Sequence, residues 1–369
     1  MTFSLYILGT RGIPAQHGGF ETFADELALY LSKRGWNVNV YCQIDNANSS
    51  PLEQYHDINL INIKTKNDSA LNTMFFDLKA SIDAMSKTGI LLTLGYNTAI
   101  FNILNRIKGQ TNIINMDGIE WHRAKWSNKA KAWFWLNEKL GSLIGNHLVA
   151  DHPLIKRHLE RNVKGDKITM IPYGSHAILN ASDACLADYN IESNSYSMII
   201  ARPEPENSIL EIVKAFSSKK RNHRLMVLGN FSDSHSYHNA VKAAASEEVF
   251  FPGAIYDKDT LSALRFHSRL YIHGHTVGGT NPSLVEALGA GSAILAHDNG
   301  FNRWVADDAA VYFSDVSSCS NCFDQLLNDN FLVSSLKLNS RNRHTQHFTW
   351  EKILGEYEQL LLKHYPKEK

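Results

Sequence analysis

Cysteine is scarce in this 369-residue sequence, limited to Cys42, Cys185, Cys319 and Cys322. Only the last two form a CxxC pair, with no second pair and no histidine pair at zinc-ligand spacing, which excludes a zinc module. A redox CxxC belongs near the start of a βαβ unit, whereas this one lies near the C-terminus. The four read as incidental thiols of a reducing compartment. Net charge is also lacking, with 37 Lys+Arg against 37 Asp+Glu. No global field selects nucleic acid or another polyanion, so any phosphate recognition has to be local. No apolar run approaches the ~20 residues of a membrane span. The opening MTFSLYILGT has neither the basic lead nor the cleavage site of a signal peptide and reads as a strand. A cytoplasmic protein is expected.

What is present is an alternation of apolar strands and amphipathic helices, over a length that suits two α/β domains. Strands are expected at 5–9, 38–41, 58–63, 90–94, 112–116, 147–150 and 168–171, with helices at 20–34, 71–86 and 129–144. Pro172, Tyr173 and Gly174 then signal a turn, and the polar stretch that follows places a linker within 172–196. The pattern restarts with strands at 198–201, 224–228, 249–251, 270–273, 293–296 and 310–313. Helices fall at 208–216, 236–246, 259–266 and 283–288. A polar stretch rich in Asn, Arg and His precedes a terminal amphipathic helix at 350–362. The expected fold class is α/β, two doubly wound Rossmann-like domains with ligands at the carboxyl ends of parallel strands.

The chain is organised around GHTVGGTNPSLVEALGAGSAILAHDNGFNR, beginning at Gly274. Gly278, Gly279 and Thr280 form a loop, Asn281 is a good N-cap, and Pro282 suits the first helical position. A glycine loop feeding a helix N-terminus leaves backbone N–H groups for an anion, and Glu286, a turn further in, suits ribose hydroxyls. The alternative is an ordinary capped helix with glycines for close packing. GTRGIPAQHGGFET follows the first strand, holding Arg11, His17, Gly18 and Gly19, and suits an anion or sugar, or simply a tight turn. It has no dinucleotide fingerprint and no Walker lysine. MDGIEWHR brings Asp117, Glu120, His122 and Arg123 to another strand end, where a carboxylate can position an acceptor hydroxyl or act as a base. In ARPEPEN, Arg202 reaches for a diphosphate or pairs with Glu204 or Glu206. Asp257 and Asp259 read as helix caps rather than a metal pair. His273 and His275 flank Gly274 at another strand end, where either could meet a phosphate, although a lone loop histidine is usually not catalytic. In HRAKWSNKAKAWFWLNEKL, lysines interleaved with Trp126, Trp133 and Trp135 suit either an anionic membrane surface or a core helix with snorkelling lysines.

Taken together and in this order, GTRGIPAQHGGFET, MDGIEWHRAKW, ARPEPEN and GHTVGGTNPSLVEALGAG with FNR resemble the rhamnosyltransferase-type branch of glycosyltransferase family 4. The resemblance spans nearly the whole chain. It implies the GT-B fold, with residues 1–175 as acceptor domain, 176–345 as nucleotide-sugar domain, and 346–369 as a terminal helix crossing back to the first. Glu286 matches the second glutamate of the family's E-x7-E motif, and Gly278 stands where the first would be. Arg202 matches the arginine of the diphosphate pair, and Asn207 occupies the usual lysine position. Gly18 and Gly19 match the pair that approaches the donor phosphates. Donor binding is thereby expected at Gly18, Gly19, Arg202, Gly278, Gly279, Thr280, Asn281 and Glu286. Acceptor binding is expected at Arg11, His17 and His122, with Asp117 or Glu120 orienting the acceptor hydroxyl. The implied reaction retains anomeric configuration and uses no metal or cofactor. The implied donor is dTDP-L-rhamnose and the acceptor an undecaprenyl-diphosphate-linked sugar, at the inner membrane surface, in capsule or O-antigen assembly, without nucleic acid. Another UDP- or GDP-sugar donor, or an inactive sugar-nucleotide-binding protein, are the alternatives.

Overall fold

The apolar runs form the strands of two mainly parallel sheets, each buried on both faces by helices, which is why they read as near-continuous hydrophobic stretches. The computed structural model describes residues 3–15, 18–45, 51–66 and 69–366. It divides into two units, Met1–Tyr173 with Trp350–Lys369, and Gly174–Thr349.

The first unit runs β1 (Ser4–Leu8), α1 (Gly19–Ser32), β2 (Asn37–Asp45), β3 (Gln54–Tyr55), β4 (Ile58–Thr65), α2 (Ala70–Ala84), β5 (Ile90–Leu94), α3 (Ile103–Ile107), β6 (Thr111–Asn115), α4 (Asn128–Ile144), β7 (His147–Ala150), α5 (Pro153–Leu159) and β8 (Ile168–Met170). Among the described residues its sheet has the order β3-β4-β2-β1-β5-β6-β7-β8. The short β3, antiparallel to β4, is an addition to the expected strands. Strand side chains alternate faces. On β1, Leu5 and Ile7 join Phe23, Leu27 and Leu31 of α1, while Tyr6 and Leu8 face Phe76 and Ala80 of α2.

The second unit runs β9 (Tyr196–Ile200), α6 (Ile209–Ser217), β10 (Arg224–Leu228), α7 (Ser236–Ala243), β11 (Val249–Gly253), α8 (Lys258–His267), β12 (Leu270–His273), α9 (Pro282–Gly289), β13 (Ala293–His297), α10 (Gly300–Ala306), β14 (Ala310–Phe313), α11 (Val316–Asn328) and α12 (Asn330–His347). Its strand order is β11-β10-β9-β12-β13-β14. Ile199, Val227 and Ile272 meet Phe216 of α6 and Phe323 and Leu326 of α11 on one face.

The polar stretch before the terminal helix, to which the sequence reading assigned no element, is helical. Asp315 and Ser318 form a capping box on α11, and Asp329 caps α12 at Leu332 N–H. α12 buries only Val333, Leu336, Ser340 and His344, a stripe too narrow to stand out as amphipathic. The segment read as a linker carries a short 3-10 turn at Ala184–Tyr189 with Leu186 buried. The last helix, α13 (Trp350–His364), buries Trp350, Ile353, Leu354, Tyr357, Leu360 and Leu361 in the core of the first unit. Tyr357 OH accepts from Asn115 Nδ2 at 2.9 Å and Trp36 Nε1 donates to Glu358 at 3.1 Å. Among the described residues, no helix is long and apolar enough to cross a membrane.

Candidate functional site

In the second unit the chain leaves β9 towards β10 and β11, then returns to β12 on the other side of β9. The topological switch point therefore lies between β9 and β12, where loops diverge and leave a crevice at the carboxyl ends. Both motifs of the C-terminal half arrive there. ARPEPEN follows β9 and GHTVGGTN follows β12, and the two strands pair in parallel. The loops are joined directly: Thr276 donates to Glu206 O through its N–H at 2.9 Å and its hydroxyl at 3.0 Å. Gly274 packs so closely on Asn207 O that a Cβ would collide with it.

Arg202 is exposed, and its guanidinium makes no hydrogen bond or ion pair among the described residues, so the alternative of a pair with Glu204 or Glu206 is not realised. Asn207, in place of a lysine, is buried and donates from Nδ2 to Arg202 O at 2.7 Å. It braces the backbone that carries the arginine. Beside Arg202 a cavity of about 400 Å³ opens over the ends of β9 and β10, walled by Pro203, Gly229, Asn230, Ile255 and Tyr256.

Asn281 caps α9, accepting from Ser283 N–H at 3.0 Å and from the Ser283 hydroxyl at 2.9 Å. Thr280 is buried; Gly278 and Gly279 are partly exposed. Gly278 has φ +125°, a conformation side chains rarely adopt, with open space where a Cβ would point. Glu286 lies one turn inside the helix, partly exposed, and pairs with the buried Arg265. Sequence reading missed Arg265, because a partner 21 residues away leaves no local spacing signal. His273 is fully buried, and burial and His275 push its pKa well below the ordinary histidine value. Its ring stacks on that of His275 at 4.5 Å. Being inaccessible and neutral, His273 is not a direct phosphate contact. Asp257 accepts from Thr260 N–H at 2.8 Å, a helix cap as expected.

In the first unit the switch point lies between β1 and β5. The glycine loop leaves β1 there. Gly18 is the N-cap of α1, without a side-chain cap, and Gly19 is the first helical residue. Arg11 is exposed, with its backbone N–H directed to Glu21 Oε1 at 3.4 Å. His17 lies outside the described residues. After β6, next to β5, Asp117 holds φ +52° with its N–H donating to Asn115 Oδ1 at 3.0 Å. Aspartate is among the few non-glycine residues that adopt this left-handed region readily. Glu120 differs: it is buried, its N–H donates to Tyr96 OH at 2.8 Å, and its carboxylate accepts from Arg123 at 3.0 Å and Trp126 Nε1 at 3.1 Å. Its carboxylate holds the loop together. His122 is exposed over Trp121, ring centroids 4.1 Å apart.

α4 is turned opposite to a core helix with snorkelling lysines. Its buried residues are Asn137, Glu138, Gly141 and Ser142, while Trp135, Leu136 and Leu143 are exposed alongside Lys129. Glu138 accounts for this, accepting from Trp121 Nε1 at 2.7 Å and bonding His158 at 2.9 Å. Among the described residues, no cluster of three or more His, Cys, Asp or Glu is placed to hold a metal ion.

Comparison with known proteins bears on both units. Residues 2–176 match a family described only as a domain of unknown function, DUF1972. No curated protein matches the sequence. Among solved structures, the chain is similar to sucrose-phosphate synthase from Thermosynechococcus elongatus, at 16% identity and TM-score 0.81 over 98% of each chain. It is also similar to HepE from Anabaena, solved with UDP-glucose, at 14% identity and TM-score 0.75 over 98% of this chain and 100% of that one. A third is WaaG, a glycosyltransferase involved in lipopolysaccharide biosynthesis, at 12% identity and TM-score 0.74, over 97% and 99%. At such identities the likeness establishes architecture. The chain has the two-Rossmann GT-B fold of these glycosyltransferase structures.

Proposed function

We propose that the chain is a retaining, metal-independent glycosyltransferase that takes a nucleotide-sugar in its second unit and an acceptor in its first. The observation that carries the reading is the pairing, at one switch point, of an unpartnered Arg202 guanidinium with a glycine loop that opens a helix N-terminus. Those two features are what a departing diphosphate needs: a fixed planar cation and backbone N–H donors at the positive end of a helix dipole. Gly278, Gly279, Thr280 and Asn281 supply the loop, Glu286 accepts from the ribose hydroxyls, and the 400 Å³ cavity beside Arg202 takes the base. UDP-glucose bound to the similar Anabaena protein supports a nucleotide-sugar donor. Gly18 and Gly19 are assigned to the donor phosphates on the motif resemblance.

In the reaction the acceptor oxygen bonds to the anomeric carbon as the bond from that carbon to the phosphate oxygen breaks. The departing oxygen takes the acceptor proton. The chain contributes electrostatic stabilisation of the leaving diphosphate and alignment of the acceptor. Asp117 is the carboxylate assigned to orient the acceptor hydroxyl, with Arg11 and His122 lining the acceptor's path. Glu120, committed to Arg123 and Trp126, is a positioning residue. The motif resemblance makes dTDP-L-rhamnose the donor and an undecaprenyl-diphosphate-linked sugar the acceptor, in surface polysaccharide synthesis. The outward tryptophan, leucines and lysines of α4 support a peripheral seat on the inner face of the cytoplasmic membrane, where such an acceptor resides.

The test is a metal-free transfer assay pairing dTDP-L-rhamnose and a panel of UDP- and GDP-sugars with short-chain lipid diphosphate sugars, read by mass spectrometry. A deoxyhexose increment is expected. A hexose or N-acetylhexosamine increment would retain the transferase and overturn the donor. Donor binding without any product would favour the inactive binder that Gly278 and Asn207, the two departures from the family pattern, leave as the second reading.

A further inference from the structure

The same sheet carries a second concavity at its opposite edge, where β9, β10 and β12 begin. A cavity of about 500 Å³ there is lined by Lys219, Lys220, Arg221 and Arg269, and Asp324 is the only acidic residue in its wall. The turn between α6 and β10 supplies the first three cations, and the residue before β12 supplies the fourth.

Part of this charge has a structural use. Arg221 donates to Phe216 O at the end of α6 and to Ser320 Oγ at 2.7 Å. Arg269 donates through Nη2 to Leu326 O at 2.9 Å and Leu327 O at 3.1 Å, near the end of α11. These bonds satisfy orphan helix carbonyls and hold both guanidinium planes in place. They neutralise nothing, because a carbonyl has no net charge. Asp324 pairs with Lys219 at 2.6 Å and lies 3.5 Å from Arg221. Glu248, behind the wall, accepts from the backbone N–H groups of Arg221 and Asn222 and keeps its charge, so the four cations face two carboxylates. The Lys220 ammonium and Nη1 of Arg269 have no partner among the described residues. Burial is the largest cause of two lowered pKa values beside the cavity. Burial and Arg269 push the His223 imidazole down to about 4. Burial, Arg269 and Arg341 push Lys337, bonded to Asn194 at 2.8 Å, down to about 8.

We propose that this cavity binds a soluble phosphorylated small molecule, at a site separate from the carboxyl-edge crevice of the same sheet. The immobilised Arg269 guanidinium, with Nη1 free, and the free Lys220 ammonium are donors that phosphate oxygens take, while the buried Arg221 side chain adds charge behind them. The five-residue strands β9 and β10 hold the two edges about 17 Å apart. The site is independent of the transfer reaction and stands or falls without it.

The experiment is calorimetric titration of inorganic diphosphate into Arg202→Ala protein, in which the carboxyl-edge crevice contributes least. Charge reversal at the two exposed lysines, Lys219→Glu with Lys220→Glu, is expected to weaken binding at least ~10-fold. Asp324→Asn is expected to tighten it several-fold, an opposite response that loss of structure cannot produce. Equal affinity in the lysine double variant would overturn the proposal, as would the absence of diphosphate binding in the Arg202→Ala protein. Lysine-dependent binding to phosphatidylglycerol vesicles, with none to diphosphate, would overturn the soluble ligand in favour of a lipid headgroup.

Discussion

Arg202 is held by its backbone and left free at its guanidinium, an arrangement suited to meeting a charge that arrives with substrate. Arg202→Ala is expected to lower kcat by about 10²–10³-fold, the usual cost of removing one preorganised donor to a developing anion, with thermal stability unchanged. Steady-state kinetics with a thermal melt checks this. The two carboxylates after β6 separate by the same reasoning. Asp117→Asn keeps a residue that tolerates positive φ and removes the charge, so activity should fall while the fold persists. Glu120→Gln weakens its bonds to Arg123 and Trp126, so the melting temperature should fall together with activity. Glu286→Ala should reduce both nucleotide affinity and stability, because it strands the buried Arg265 as well as the ribose. Unchanged stability would mean that this ion pair contributes little. The glycine, asparagine and arginine positions were legible in sequence because loop and cap chemistry is local. Arg265 and the bracing bond of Asn207 were not, since both depend on which loops the topology brings together.

At the scale of elements, α9 and α4 show what periodicity can and cannot decide. α9 announced itself by Asn281, Pro282 and its glycines, and the structure places it at Pro282–Gly289 with the expected cap. α4 was equally visible as a helix, yet its orientation was not. Aromatic and aliphatic residues normally mark the inward face, whereas here Asn137 and Glu138 are inward because Trp121, His158 and Ile100 N–H supply their partners. Such compensation comes from distant residues, and a helical wheel cannot show it. The missed α11 and α12 have the converse cause, since caps at Asp315 and Asp329 and a thin buried stripe suffice once the sheet is in place. For α4, replacing Lys125, Lys129 and Lys131 with Glu is expected to reduce sedimentation with anionic liposomes several-fold, by removing about 1 kcal/mol of attraction per lysine. Trp135→Ser with Leu143→Ser should do so at high salt as well. Unaltered sedimentation in both variants would leave the exposed face without a membrane role.

For the whole molecule, both sheets place their glycine loops at the carboxyl edge of a switch point, where open α/β sheets bind ligands. Fold class followed from strand–helix alternation. The order of the strands did not, because it depends on pairings between segments far apart in sequence. The fold also sets a pH dependence. Burial, with His364 and Lys363, lowers His147 to about 4, His223 is lowered to a similar value, and His273 is held well below the ordinary histidine value. Each takes up a proton on unfolding before it does so in the native state. The histidine contribution should therefore be full above about pH 6.5 and decline as pH falls towards 4, by up to about 1.4 kcal/mol per pH unit for each, offset in part by Asp77, which burial raises to about 6. Melting temperature against pH checks this, and a flat profile between 6.5 and 4.5 would contradict it.

The central claim is that the β9–β12 crevice is a nucleoside diphosphate site. Its most direct test is calorimetric titration of UDP and dTDP into wild-type, Arg202→Ala and Glu286→Ala protein. Saturable binding by at least one nucleotide is predicted, weakened at least ~10-fold by each substitution. Binding that neither substitution changes, or no binding of either nucleotide by the folded wild-type protein, would contradict it.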